Sequence, residues 1–305
     1  MEKLRYLKKH SFRPLRRIMN KSLLIYTIIF LLVLFFKSHV STASEYASEI
    51  FSKIRTENLD ISESLGSYSK GCLAGAKYLP SNQSYYDALK PSRNRYWGHP
   101  NLINFIEEIS QKIYSQYGNG ILIGDMAMPR GGPMPFGHKS HQNGLDVDIF
   151  YQRKPDYQMQ RFDLETYQPK SILTENQEEI QNDLWSNYHH ELLEIISKNK
   201  MVTRIFVNPV IKKKLCIQAI EKNDTDWLKK IRPWGGHYKH FHVRLECPQE
   251  SGSCIGQTPV RDFHGCNEEL DNWLKKDKIF ESNSNKIKKW ILLSDLPKSC
   301  KKVIQ

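Results

Sequence analysis

What the 305-residue chain lacks narrows its identity first. No apolar run reaches the about 20 residues that a membrane-spanning helix needs. The longest, residues 23–36 (LLIYTIIFLLVLFF), has the size of a signal-peptide core. No Cys-x2-Cys pair occurs, which argues against a cysteine-ligated zinc. There is no internal repeat and no basic stripe with interleaved aromatics. The formal charge of +12 is partly a leader effect. Nine of the 45 Lys/Arg and one of the 33 Asp/Glu fall in residues 1–43, leaving 36 bases against 32 acids, a net of +4. That balance argues against dedicated nucleic-acid binding and is compatible with an anionic polymer such as a cell wall.

The basic residues from Lys3 to Lys37 bracket the apolar run, and Ser41-Thr42-Ala43 supplies small residues before a cut at Ser44. Residues 1–43 are therefore expected to be a signal peptide, with an uncleaved anchor as the alternative and Met19 as a second candidate start. The membrane would be touched only through this segment, and the rest would lie outside the cytoplasm. After it come a polar segment, 44–71, a main domain, 72–300, and a short tail, 301–305.

All six cysteines lie beyond the leader: Cys72, Cys216, Cys247, Cys254, Cys266 and Cys300. An even count in an exported chain favours three disulfides, although fifteen pairings are possible.

Residues 44–95, rich in Ser, Tyr and Asn, read as a loop-dominated entry. Leu102, Ile103, Phe105, Ile106, Ile109 and Ile113 recur at helical spacing over Pro100–Tyr117. Strands are expected at Ile121–Met128, Leu145–Tyr151, Thr203–Asn208 and His240–Glu246. Helices are expected over Asn182–Lys198, from Pro209 onward, and over Asp224–Ile231. The fold class is α+β: a single domain with a central antiparallel sheet, flanked by helices and loops.

Against this background, His138-Lys-Ser-His141 with Asp146 and Asp148, and His237-Tyr-Lys-His240-Phe-His242, gather five histidines and two aspartates into two short segments. Side chains two apart on a strand share a face, so Asp146 pairs with Asp148 and His240 with His242. His141 can approach Asp148 across the turn at Gly144. Imidazole nitrogen and carboxylate oxygen are ligands that zinc accepts, and three protein ligands leave a position for reactive water.

The site segments resemble the lysostaphin/D-alanyl-D-alanine metallopeptidase/Hedgehog superfamily, and within it the penicillin-insensitive murein endopeptidases. The resemblance rests on Arg95-Tyr-Trp-Gly-His-Pro100, Gly124-Asp-Met-Ala-Met-Pro129, Ser140-His-Gln-Asn-Gly-Leu-Asp-Val-Asp-Ile-Phe150, Arg204-Ile-Phe-Val-Asn-Pro209 and Val243-Arg-Leu-Glu-Cys247. It runs from about Cys72 to Cys300. It implies that His141, Asp148 and His242 bind zinc, with His138 a further ligand or the partner of one. It makes His240 the general base or transition-state stabiliser, with His237 beside it and, with Trp234-Gly-Gly, a candidate for the oxyanion. It also implies the disulfides Cys72–Cys300, Cys216–Cys266 and Cys247–Cys254.

One departure bears on metal count. A downstream Asp-x2-His pair can hold a second metal in this family, but Thr174–Ile180 has no histidine. One zinc is expected. His189 and His190 are read as surface or helix-packing residues.

The resemblance narrows the location to the periplasm. The implied substrate is the peptidoglycan stem peptide, cut at the D-alanyl–meso-diaminopimelyl cross-link. Two other functions compete: a D,D- or L,D-carboxypeptidase on stem peptides, and a non-catalytic zinc-containing wall-binding protein.

Overall fold

The structure is a computed structural model that describes residues 46–81, 83–280 and 291–305. The expected leader, its cleavage point and the choice of start lie outside these residues. Among the described residues, no helix is long and apolar enough to cross a membrane.

The strands, in chain order, are β1 (Glu63–Ser67), β2 (Lys70–Ala74), β3 (Lys77–Tyr78), β4 (Tyr86–Ala88), β5 (Trp97–Gly98), β6 (Ile121–Ile123), β7 (Asp146–Arg153), β8 (Val202–Val207), β9 (Ile231–Pro233), β10 (His240–Leu245) and β11 (Cys254–Ile255). The main sheet has the order β4-β6-β7-β10-β8-β9. Its centre, β6-β7-β10-β8, is antiparallel as expected, while the outer strands β4 and β9 each pair in parallel with their neighbours. The domain is α+β.

Alternation along the central strands divides the sheet into two chemical faces. Val147, Ile149 and Tyr151 of β7, Phe241, Val243 and Leu245 of β10, and Ile205 and Val207 of β8 all enter one apolar core. The helix Pro100–Tyr117 contributes Leu102, Phe105, Ile106, Ile109 and Ile113 to that core. The residues between them point the other way: Asp146, Asp148, His240, His242, Arg244, Arg204 and Phe206. Apolar burial holds the sheet, and its second face is free to carry polar chemistry.

Pro100–Tyr117 forms the expected helix over those same residues, with Pro100 in the first turn and Gly118 in the left-handed conformation at its end. The helix expected from Asn182 begins at Asn187, where Ser186 and His189 form a reciprocal cap. Both histidines at its start are buried, His189 stacking on Trp185 at 5.0 Å, so they pack the helix and are not surface residues. The strand expected to reach Met128 stops at Ile123, and the segment around Asp226 is a 3-10 turn, Asp226–Lys230.

The larger departure is at the start. Residues 44–95 hold the helix Ala47–Lys53 and the hairpin β1–β2, to which β11 adds in parallel. Small, weakly periodic residues such as Ser64, Gly66 and Gly71 hid these strands, whose pairing depends on a partner far along the chain. Phe51 of the helix lies against Gly132, where a Cβ would meet its ring at 2.3 Å. This contact fastens the loop that leads to His138.

Three disulfides close the fold: Cys72–Cys300, Cys216–Cys266 and Cys247–Cys254, the pairing implied by the resemblance. Cys72–Cys300 ties β2 to the short C-terminal helix Cys300–Val303.

Candidate metal centre

Asp148 on β7 lies directly opposite His242 on β10 in the strand register. Its carboxylate is the hub of the site, with two imidazoles at each oxygen. Oδ1 lies 3.2 Å from His242 Nδ1 and 3.4 Å from His141 Nε2. Oδ2 lies 3.5 Å from His138 Nδ1 and 3.5 Å from His240 Nε2. The Oδ1 pair forms a buried floor, whereas the His138 and His240 side chains keep 21% and 28% exposure at the mouth.

The backbone brings His141 into this group. It adopts φ +68°, and Gly144 follows at φ +77°, where a Cβ would lie 2.5 Å from Leu73. This reversal folds the loop before β7 back over the sheet. The His141 N–H donates to Asp146 Oδ2 at 2.9 Å. Asp146 also takes Arg244 Nε at 2.7 Å and Nη2 at 3.0 Å, and its Oδ1 lies 3.1 Å from His242 Nε2. One buried carboxylate thus holds the His141 backbone and stands behind the His242 ring, with its charge balanced by Arg244. A second carboxylate, Asp125, fixes the mouth: it lies 3.0 Å from His138 Nε2 and accepts from Arg95 at 2.8 Å.

Electrostatics sort the rings by role. Burial opposes ionisation of Asp148, but His240, His141 and His138 outweigh it and hold the carboxyl well below its ordinary range. Burial lowers His141 and His237 to about 4 and also lowers His240. Those three rings are neutral near pH 7, the form that ligates a metal or accepts a proton. For His138 and His242, burial is outweighed by neighbouring carboxylates and the shift is upward.

The residues fit a divalent cation. Ligand atoms of His138, His141 and Asp148 all lie within 4.8 Å of one another, and His242 Nδ1 adjoins the same carboxylate. Neither ring nitrogen of the fully buried His141 makes a hydrogen bond, nor does Asp148 Oδ1. Uncompensated polar atoms at such depth are costly, and coordination would satisfy them. Imidazole nitrogen and carboxylate oxygen are donors that zinc accepts.

Of the residues singled out from sequence, His138, His141, Asp148, His240 and His242 come together. His237 stands to one side, its ring 5.3 Å from that of His240 and its Nδ1 3.0 Å from the Gly235 carbonyl. Trp234 is half exposed and packs on Phe206 and Trp273. In the Thr174–Ile180 segment, Thr174 and Asn176 bond within their own turn. Asp125 and the Asp146–Arg244 pair were not assigned from sequence. Asp146 sharing a face with Asp148 was the available signal, but its partners come from another strand.

The sequence profile of the penicillin-insensitive murein endopeptidases matches residues 64–305. Three curated proteins named penicillin-insensitive murein endopeptidase align over much of the chain. That of Haemophilus influenzae is 40% identical over 262 residues, 85% of this chain and 89% of that protein. That of Klebsiella pneumoniae is 38% identical over 252 residues, covering 83% and 89%. That of Yersinia enterocolitica is 41% identical over 213 residues, covering 70% and 76%. With this coverage and identity, the chain belongs to the penicillin-insensitive murein endopeptidase family.

Proposed function

We propose that this chain is a periplasmic zinc endopeptidase that hydrolyses the D-alanyl–meso-diaminopimelyl cross-link of peptidoglycan. The family and the names of its relatives support a peptidase acting on murein. The observation that carries the metal reading is the convergence of His141, His242 and His138 on the two oxygens of Asp148. Residues 72–300 form the catalytic domain in this reading, and residues 1–43 direct export.

His141, Asp148 and His242 hold the ion, and His138 adds a further donor whose ring Asp125 orients. Zinc bound there supplies Lewis acidity toward the scissile carbonyl and toward water. His240 is neutral and partly exposed on the rim, so it can take a proton from the attacking water. The same imidazolium then delivers that proton to the departing amine as the acyl carbon–nitrogen bond breaks. His237 lines the approach to His240 and helps position the carbonyl oxygen. Asp146 and Arg244 keep the floor histidines in place throughout.

The deciding experiment is digestion of purified cross-linked muropeptide dimers, with and without a zinc chelator, read by mass spectrometry. Chelator-sensitive conversion of dimers to monomers is expected. Intact dimers with a folded, zinc-loaded protein would overturn the reading, and trimming of monomers alone would make the protein a carboxypeptidase.

A further inference from the structure

The polar face of the main sheet continues past the candidate metal centre to a cavity of about 770 Å³ above β8 and β9. Arg204, Arg232 and Arg261 line it, together with Phe263 and the start of the helix Glu268–Phe280. Strand register sets its position. Phe206 lies opposite His242 on one side and Arg232 on the other, and Arg204 lies opposite Arg244. The Phe206 ring is 5.4 Å from that of His242. The cavity therefore begins one side chain away from the floor of the metal centre.

Its charge is only partly neutralised. Glu268 and Glu269 also line it, and Glu269 is paired with Arg232. Among the described residues, neither Arg204 nor Arg261 has a carboxylate at ion-pair distance; Arg204 donates instead to the carbonyl of Thr258. Asp262, next to Arg261, is 3.4 Å from Lys229. Burial and then the charge of Arg244 lower the Arg204 guanidinium, and Arg232 in turn is lowered by burial and by Arg204 and Arg261. Crowded cations with spare donors, one side chain removed from a peptidase site, suit a carboxylate.

We propose that this arginine cavity is a substrate subsite that binds a free carboxylate of the murein peptide while the scissile bond lies at the metal centre. The subsite rests on the endopeptidase reading for the identity of its ligand. Arg204 and Arg261 supply the guanidinium donors, and the spacing across β10 and β8 sets how far the carboxylate lies from the bond to be cut. Cross-linked peptides that retain free carboxylates would be preferred over the same peptides with those groups amidated.

Two measurements on the full chain test this. Metal-free protein is titrated with an uncleaved muropeptide dimer, native or fully amidated, to give Kd; metal-loaded protein is assayed on both for kcat/KM. Wild type should favour the native dimer about tenfold in both. Arg261→Gln, at an exposed position, and Arg204→Gln should remove most of that preference through Kd and KM, leaving kcat and the amidated dimer nearly unchanged. Equal affinity of wild type for the two dimers, or equal losses on both in the variants, overturns the subsite. A preserved binding preference without cleavage would instead sink the endopeptidase reading and leave the subsite standing.

Discussion

Asp146 Oδ1 stands 3.1 Å from Nε2 of His242 and 2.7 Å from Nε of Arg244, so one carboxylate links a ring of the metal centre to a buried guanidinium. Carboxylates behind ligand histidines typically govern metal affinity by about 10–100-fold. Asp146→Asn should lower zinc affinity within that range in a chelator-competition titration. Leaving Arg244 without its counter-charge should also cost roughly 3 kcal/mol in urea unfolding. Unchanged affinity would mean that His242 is held by its strand alone.

The two layers around Asp148 predict two classes of variant. His141→Ala, Asp148→Ala and His242→Ala should each lose both bound zinc and turnover. His240→Ala should retain zinc and lose turnover by about 10²–10⁴-fold, the usual range for a general acid–base group. Metal analysis beside a dimer-cleavage assay separates them. Zinc loss in His240→Ala would move that ring among the ligands.

Acid sensitivity should have a source outside the metal centre. Burial lowers His189 to about 4, and its Nδ1 accepts the Ser186 N–H. An unfolded histidine titrates near 6.5, so the unfolded chain binds the proton first as pH falls. The stability that His189 contributes is complete above about 6.5 and is lost as pH falls through about 4. His189→Gln keeps a capping acceptor that does not titrate. The stability difference between pH 7 and pH 4.5 should shrink in this variant by on the order of 2 kcal/mol. An identical pH dependence in the two proteins would refute the assignment.

The Cys72–Cys300 bridge joins a strand near the N-terminus of the fold to its last helix. Replacing both cysteines by alanine should cost about 2–4 kcal/mol of stability. Zinc content below the unfolding transition should stay at the wild-type level, because neither residue touches the metal centre. Loss of zinc in a still-folded variant would show that the bridge also shapes the site.

Elements with local signatures were legible in the sequence. The helix Pro100–Tyr117 was readable from apolar spacing, and β7 and β10 from alternation around Asp148 and His242. The five convergent site residues followed from strand periodicity and family resemblance. What stayed hidden was set by distant pairing. β1 and β2 carry small residues, β1 takes β11 as its other neighbour, and Ser64 bonds Ser251 far along the chain. Asp125 matters because it meets Arg95 and His138, which no local pattern announces.

The facing of His242 and Asp148 across β10 and β7 also bears on timing. These residues are far apart in sequence, and slipping one strand by a single position would turn its site residue into the apolar side of the sheet. In the zinc reading proposed above, the set of His141, Asp148 and His242 is therefore complete only once the two central strands have met in the correct alignment. On that reading, a chain that is still unfolded, or paired out of step, would hold an incomplete ligand set and would not cut a wall. Closure of the sheet would then act as the safety catch on the activity.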